Sequence, residues 1–251
     1  MIIINGKVSS DENIVLDSGY NFGRGVFETI LVKDKPLFLK QHCERLKRGL
    51  TVLRVENFAD EEYIMKYVQQ CEIHDCVMKL IVTDKNIVIS TRPVSYKPED
   101  YMRGFKVKLS CLRRNPYSHT TYLKSLNYTD NILEKEQAAK EGFDEVVFLN
   151  TRQELAEGSM SNIFFVKNSK IFTPAIECGI LDGIVRNWVI ENFNIYEGKF
   201  LLEDITKADE VFITNSIMGI MKVKSVDGSI YNDGPVWKLV SDKYEEYNMT
   251  R

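Results

Sequence analysis

The chain has 251 residues, 44% of them hydrophobic and 27% charged, which is the balance of a globular protein with a sizeable core. Lys+Arg 33 against Asp+Glu 36 gives −3 with His neutral, a balance that gives no reason to expect nucleic acid as a partner. No apolar run is long enough to cross a bilayer, and the N-terminus Met-Ile-Ile-Ile-Asn-Gly-Lys lacks the basic and long apolar regions of a signal peptide.

The elements follow in chain order. A first strand ends in an Asn5-Gly6 turn. Val26–Val32 and Pro36–Leu39 form an expected hairpin around Lys-Asp-Lys. A helix starts near Leu39, with Leu46, Leu50 and Leu53 on one stripe. Asp60 caps a second helix that carries Tyr63, Ile64, Tyr67 and Val68 on one face. Met78–Val82 and Ile87–Thr91 read as paired strands, and Phe105–Cys111 as another. These pieces predict an α+β domain with a mainly antiparallel sheet. Arg113 to Thr121 is polar, contains Pro116 and has no period, so it is an interdomain linker or an active-site loop.

A strong helix is expected from about Leu126 to Glu141, stopped by Gly142. Short strands then crowd together: Glu145–Leu149, Glu154–Glu157, Asn162–Val166 and Lys170–Thr173. Leu181-Asp-Gly183 leads into a helix with Val185, Trp188, Val189 and Phe193 on one face. A short helix near Glu203–Ala208 precedes the strand Glu210–Thr214. Met221–Val226 and Ser229–Tyr231 pair around Asp227-Gly228, and a last helix carries Trp237, Val240 and Tyr244. The domain reading is 1–112, a linker at 113–122, and 123–251.

The cysteines Cys43, Cys71, Cys76, Cys111 and Cys178 are odd in number and include no Cys-x-x-Cys pair, which suits thiols in a reducing cytoplasm. His42, His74 and His119 are too scattered for a local metal motif, so no metal is expected.

Two residues carry the chemistry. Lys124 sits just before the predicted helix, where a helix N-terminus disfavours an ammonium and partial burial acts the same way. A neutral lysine there can hold an aldehyde cofactor as a Schiff base; alone, it reads as a solvated surface lysine. Glu157, in Ala156-Glu-Gly-Ser, can face a protonated ring nitrogen, with Gly158 allowing close approach of the backbone; alone, it is an edge-strand glutamate. Together they point to pyridoxal phosphate. Arg45, in His42-Cys-Glu-Arg45-Leu46, is a fork for phosphate or a surface ion pair with Glu44 or a neighbour. The amides of Ile184 and Val185 open a helix and form an anion site or an ordinary helix start. Thr214-Asn-Ser216 supplies further phosphate donors or merely ends a strand. Asp17 to Thr29 holds a glycine-rich turn with aromatic residues, but the spacing is not that of a dinucleotide fingerprint.

These pieces, in this order, resemble the class IV pyridoxal-phosphate enzymes nearly end to end. That family includes 4-amino-4-deoxychorismate lyases, branched-chain aminotransferases and D-amino acid aminotransferases. The motifs are Asp17-x-Gly19, Gly23-x-Gly25-x-Phe27-Glu28, His42-x-x-Arg45-Leu46, Lys124-x-Leu-Asn127, Glu157-Gly158-x-x-x-Asn162, Gly179-Ile-Leu-Asp-Gly183 and Thr214-Asn-Ser216. The resemblance implies two α/β domains of the D-amino acid aminotransferase-like fold (fold-type IV) with the cofactor at their junction. It implies Lys124 as Schiff-base lysine and proton shuttle, and Glu157 on the pyridine nitrogen. It gives the phosphate to Arg45, Ile184, Val185 and Ser216, and places Tyr128 beside the cofactor's phenolic oxygen. It also implies a homodimer. Val185 stands where many members have threonine, Phe22 where tyrosine is common, and Lys222 where proline is common. Arg113-Arg-Asn-Pro, Gly179-Ile-Leu-Asp-Gly183 and Thr214-Asn-Ser-Ile-Met, with no Arg-x-His anywhere, look most like the lyases. On that reading Phe22, Arg113 and Arg114 contact substrate, the two arginines gripping its carboxylates. The alternative is an aminotransferase acting on a branched-chain or D-amino acid.

Overall fold

The computed structural model describes residues 1–8 and 13–249. The chain divides into two compact units. Among the described residues, the first holds those up to Ser95 with Leu123–Tyr128, and the second Tyr96–Tyr122 with Thr129–Met249.

The first unit carries β1 (Ile2–Ile4), β2 (Lys7–Val8), α1 (Ser18–Phe22), β3 (Gly25–Val32), α2 (Leu39–Leu53), α3 (Glu61–Gln70), β4 (Cys76–Thr83) and β5 (Ile87–Arg92). Its five strands run in the order β2-β1-β5-β4-β3, and every pairing is antiparallel. The two-residue period sends Ile3, Val26, Ile30, Val32, Met78, Leu80, Val82, Ile87 and Ile89 into one core with Leu46 and Leu50 of α2 and Ile64 and Val68 of α3. The same period leaves Phe27, Thr29, Lys79 and Ile81 on the opposite face, where Thr29 pairs with Lys79 and Phe27 with Ile81. Asp60 caps α3 by accepting from the Tyr63 amide, as its sequence position requires.

Pro36–Leu39 is not a strand. It makes a single bridge, Pro36 to Val32, and the chain turns at Phe38, whose φ of 55 leads directly into α2. Proline has no N–H for a ladder; β3 pairs with β4 over its whole length, from Gly25↔Thr83 to Val32↔Cys76. Asp17 starts a short helix that the sequence reading lacked. One of its carboxylate oxygens accepts from the Tyr20 amide, while the other accepts from the Thr83 hydroxyl and the Lys85 amide.

The second unit carries α4 (Pro98–Arg103), β6 (Phe105–Arg114), α5 (Thr129–Lys140), β7 (Glu145–Asn150), β8 (Leu155–Gly158), β9 (Asn162–Lys167) and β10 (Lys170–Pro174). It continues with α6 (Ile184–Asn192), β11 (Ile195–Gly198), α7 (Leu202–Thr206), β12 (Glu210–Asn215), β13 (Gly219–Val226), β14 (Ser229–Ile230) and α8 (Pro235–Met249). The sheet order is β11-β10-β9-β12-β13-β6-β7-β8, with β14 on β13. Three pairings are parallel: β10 with β11, β13 with β6, and β6 with β7. The expected boundary after residue 112 therefore falls inside β6, whose ladder partners both lie in this sheet. α4 and β11 were absent from the sequence reading.

The helix expected from Leu126 begins only at Thr129. Leu123–Tyr128 instead lies against β3 of the first unit: the Phe27 amide donates to the Lys124 carbonyl at 2.8 Å, and the Leu126 amide to the Gly25 carbonyl at 3.0 Å. The second unit's interior is aromatic at its centre, with Phe164 and Phe212 stacked at 4.9 Å between ring centroids. Phe212→Ala should cost about 3–5 kcal/mol, the usual range for a buried aromatic. Urea unfolding of the purified chain measures this, and a loss under about 1 kcal/mol would place the ring outside the cooperative core.

Candidate active site

In the first unit, Lys124 sits on the non-core face of the sheet. Its amine lies 4.5 Å from the Phe27 ring centroid and 5.4 Å from that of Tyr128. The two rings meet edge to face at 5.2 Å. Lys124 is thus not a helix-start residue, and the helix-dipole argument for its reactivity falls away. Pairing with β3 fixes its backbone, and two aromatic rings surround its amine. Asn127 holds the same segment by donating to the Gly23 carbonyl at 3.1 Å.

Arg45 lies on the other face, in α2. Its fork grips Glu28, with Nε on Oε1 at 2.8 Å and Nη2 on Oε2 at 2.7 Å. His42 Nδ1 meets the same carboxylate at 2.6 Å. Burial pushes the Glu28 carboxyl up, but the charge and hydrogen bonds of Arg45, then those of His42, outweigh it and hold the pKa at about 2. Burial lowers the pKa of His42, against the pull of Glu28. The sequence reading gave Arg45 a phosphate or a surface partner; its observed partner is the buried Glu28.

Lys79 is a residue the sequence reading missed. Its amine stands 4.9 Å from the centroid of the same Phe27 ring that Lys124 faces. Desolvation, then the neighbouring charge of Arg92, lowers its pKa. Only the strand register reveals it: Lys79 lies opposite Thr29, two residues beyond Phe27.

In the second unit, Glu157 lies in β8 and is 7% exposed. Oε2 accepts from the Leu181 amide at 2.9 Å, and Oε1 pairs with Arg114 Nη2 at 3.2 Å. Arg114 also donates to Asn131 at 3.0 Å and lies 4.3 Å from the Phe148 ring centroid. Arg114, expected to grip substrate, thus makes an ion pair with Glu157. Arg113 folds back onto the Ser110, Cys111 and Leu112 carbonyls at 2.8 to 3.2 Å. Phe22 is an exposed ring in α1 of the first unit.

Gly183 precedes α6 with no side-chain cap. Helix geometry leaves the Ile184 and Val185 amides without intrahelical acceptors. A Cβ at Gly183 would overlap Asn162 Oδ1, so glycine is required for the strand and helix start to meet. Asn162 pairs with Thr214 across β9 and β12, and Thr214 Oγ1 is buried with no hydrogen-bond partner among the described residues. Asn215 accepts from the Ile217 and Met218 amides and so shapes the turn that holds the half-buried Ser216. Orphan amides, an orphan hydroxyl and a glycine start make a donor set suited to a phosphate ester. A hydroxyl missing at Val185 is present nearby at Thr214.

The amino-transferase class IV family model matches residues 25–226. The chain belongs to this family. It is 31% identical to the aminodeoxychorismate lyase of Bacillus subtilis (strain 168), over 90% of this chain and 87% of that one. It shares its fold with the 4-amino-4-deoxychorismate lyase of Pseudomonas aeruginosa, at a TM-score of 0.88 and 23% identity over 98% of both chains. It is similar in the same way to the branched-chain aminotransferase of the thermophilic archaeon Thermoproteus uzoniensis, at a TM-score of 0.88 and 24% identity over 98% of this chain and 93% of that one. A class IV chain is a pyridoxal-phosphate enzyme, a lyase or an aminotransferase. Among the described residues no cluster of His, Cys, Asp and Glu could hold a metal, and no helix is long and apolar enough to cross a membrane.

The Glu28 carboxyl gives a pH test. Its folded pKa of about 2 lies below the ordinary 4.5, so its contribution is complete above pH 4.5 and is lost as pH falls toward 2. That contribution is on the order of 3 kcal/mol. Melting temperature should fall steeply through this window, and Glu28→Gln, less stable at neutral pH, should show a flatter profile. Parallel profiles for the two proteins would mean that Glu28 does not set the acid limb.

Proposed function

We propose that this class IV enzyme is a 4-amino-4-deoxychorismate lyase that releases pyruvate and forms 4-aminobenzoate for folate synthesis. The observation that carries the reading is the pair of amines over one aromatic ring, Lys124 at 4.5 Å and Lys79 at 4.9 Å from the centroid of Phe27. The substrate has two carboxylates as well as the reacting amine. A second amine over the same ring as the reactive lysine suits such a dianion. The likeness to the Bacillus subtilis lyase supports the same choice.

Lys124 would hold the cofactor covalently and, once released, would take the ring proton next to the substrate amine. Phe27 and Tyr128 shield its amine from bulk water. Glu157 would face the ring nitrogen, kept in place by Arg114 and the Leu181 amide. Ile184, Val185, Thr214 and Ser216 would take the phosphate, and Arg45 would contribute from its place on Glu28. Bound pyridoxal phosphate supplies the electron sink for a carbanion at the proton-losing carbon. Lys79 would pair with a substrate carboxylate, a role first expected of Arg113 and Arg114. The reading includes a homodimer, as the family resemblance implies, in a reducing cytoplasm, as the unpaired cysteines suggest.

Purified enzyme with pyridoxal phosphate should release pyruvate and 4-aminobenzoate in equal amounts from aminodeoxychorismate. D-Alanine, D-glutamate and L-leucine should give no keto acid in the presence of 2-oxoglutarate. Lys79→Met should raise KM for aminodeoxychorismate roughly ten- to a hundredfold, the effect of losing a charge-assisted contact. Keto acid from a simple amino acid, with no 4-aminobenzoate, would make the enzyme an aminotransferase.

A further inference from the structure

Glu145 is the first residue of β7, is 2% exposed, and plays no part in the chemistry described above. Its carboxylate is surrounded by donors. Oε1 accepts from the Val146 amide at 2.9 Å, from the Ser159 amide at 3.2 Å and from the Ser159 hydroxyl. Oε2 accepts from the Met160 amide at 3.3 Å and the Ser161 hydroxyl at 3.2 Å, with Lys135 Nζ at 3.5 Å. Three of these partners, Ser159, Met160 and Ser161, form the turn that follows Glu157 and Gly158.

Other side chains hold the same turn through its carbonyls. Asn131 donates to the Ser159 carbonyl at 2.6 Å, and Asn215 to the Met160 carbonyl at 3.1 Å. The turn closes on itself, with the Gly158 amide donating to the Ser161 carbonyl at 2.7 Å. Asn131 also accepts from Arg114, which pairs with Glu157. An unbroken set of contacts thus runs from the Glu157 carboxylate through Arg114, Asn131 and Ser159 to Glu145.

We propose that Glu145 is a positioning residue that fixes the direction of the Glu157 carboxylate by clamping the turn behind it. The proposal rests on the reading of Glu157 as the partner of the cofactor's ring nitrogen. A carboxylate is required at 145 because every neighbour donates. An amide there would set its own N–H groups against donors, releasing at least one edge of the clamp. The consequence is specific: loosening the clamp weakens only what Glu157 recognises.

The test compares binding of pyridoxal phosphate with binding of its carbocyclic analogue, in which a C–H replaces the ring nitrogen. Titration of the full chain gives both dissociation constants. Wild type should prefer pyridoxal phosphate, and Glu157→Gln should narrow that preference. Glu145→Gln should weaken pyridoxal phosphate roughly tenfold, as expected for a displaced charged hydrogen bond, and leave the analogue within about twofold. Equal weakening of both ligands would reduce Glu145 to general support of the fold and overturn the proposal. So would no change in either. Wild type binding both ligands equally would overturn the reading of Glu157 and the proposal with it. Should Glu145→Gln not fold, Ser161→Ala removes a single donor and must weaken pyridoxal phosphate alone, by roughly two- to threefold.

Discussion

The account depends on one short stretch of backbone pairing. Residues Leu123–Tyr128 could have begun the helix that the sequence suggests. They lie instead along β3, joined by the Phe27 amide on the Lys124 carbonyl and the Leu126 amide on the Gly25 carbonyl. Each of these bonds is worth about 1 kcal/mol net, so their value lies in register. A shift of one residue along β3 would send the Lys124 amine to the other face, away from Phe27 and Tyr128. The glycines at 23 and 25 permit the approach, since a Cβ at Gly25 would meet the Val82 carbonyl and the Leu126 side chain at under 3.0 Å.

Buried charge is treated alike in both units, as pairs with converging donors. Glu28 is held by Arg45 and His42, Glu157 by Arg114 and the Leu181 amide, and Glu145 by the turn from Ser159 to Ser161. A buried carboxylate without such partners would take up a proton. With Arg45 and His42 on it, Glu28 stays ionised. The helix-start amides at Ile184 and Val185 need no charge of their own, because the backbone already orients them.

Much of this was legible in sequence because period and punctuation are local. Leu46, Leu50, Ile64 and Val68 announced the core faces of α2 and α3, and Asp60 its cap. Gly183 before Ile184 and Val185 marked a helix start. What escaped was set by distant partners. Nothing near Pro36 reveals that Phe38 turns the chain into α2 after a single bridge to β3, and nothing near Leu126 reveals that β3 holds that segment extended. Arg114 reads as a loop arginine until β6 extends to include it and brings it to Glu157. Lys79 reads as one charge in an apolar strand until the register sets it beside Phe27. Arg45 reads as a fork, but its partner Glu28 lies 17 residues away in sequence.

The central claim is that Lys124 carries the cofactor. The most direct measurement is borohydride reduction of the chain mixed with pyridoxal phosphate, followed by peptide mapping by mass spectrometry. The account predicts one phosphopyridoxyl group per chain, on Lys124, with none on Lys79. A label on Lys79, labels spread over surface lysines, or no label at all would contradict it.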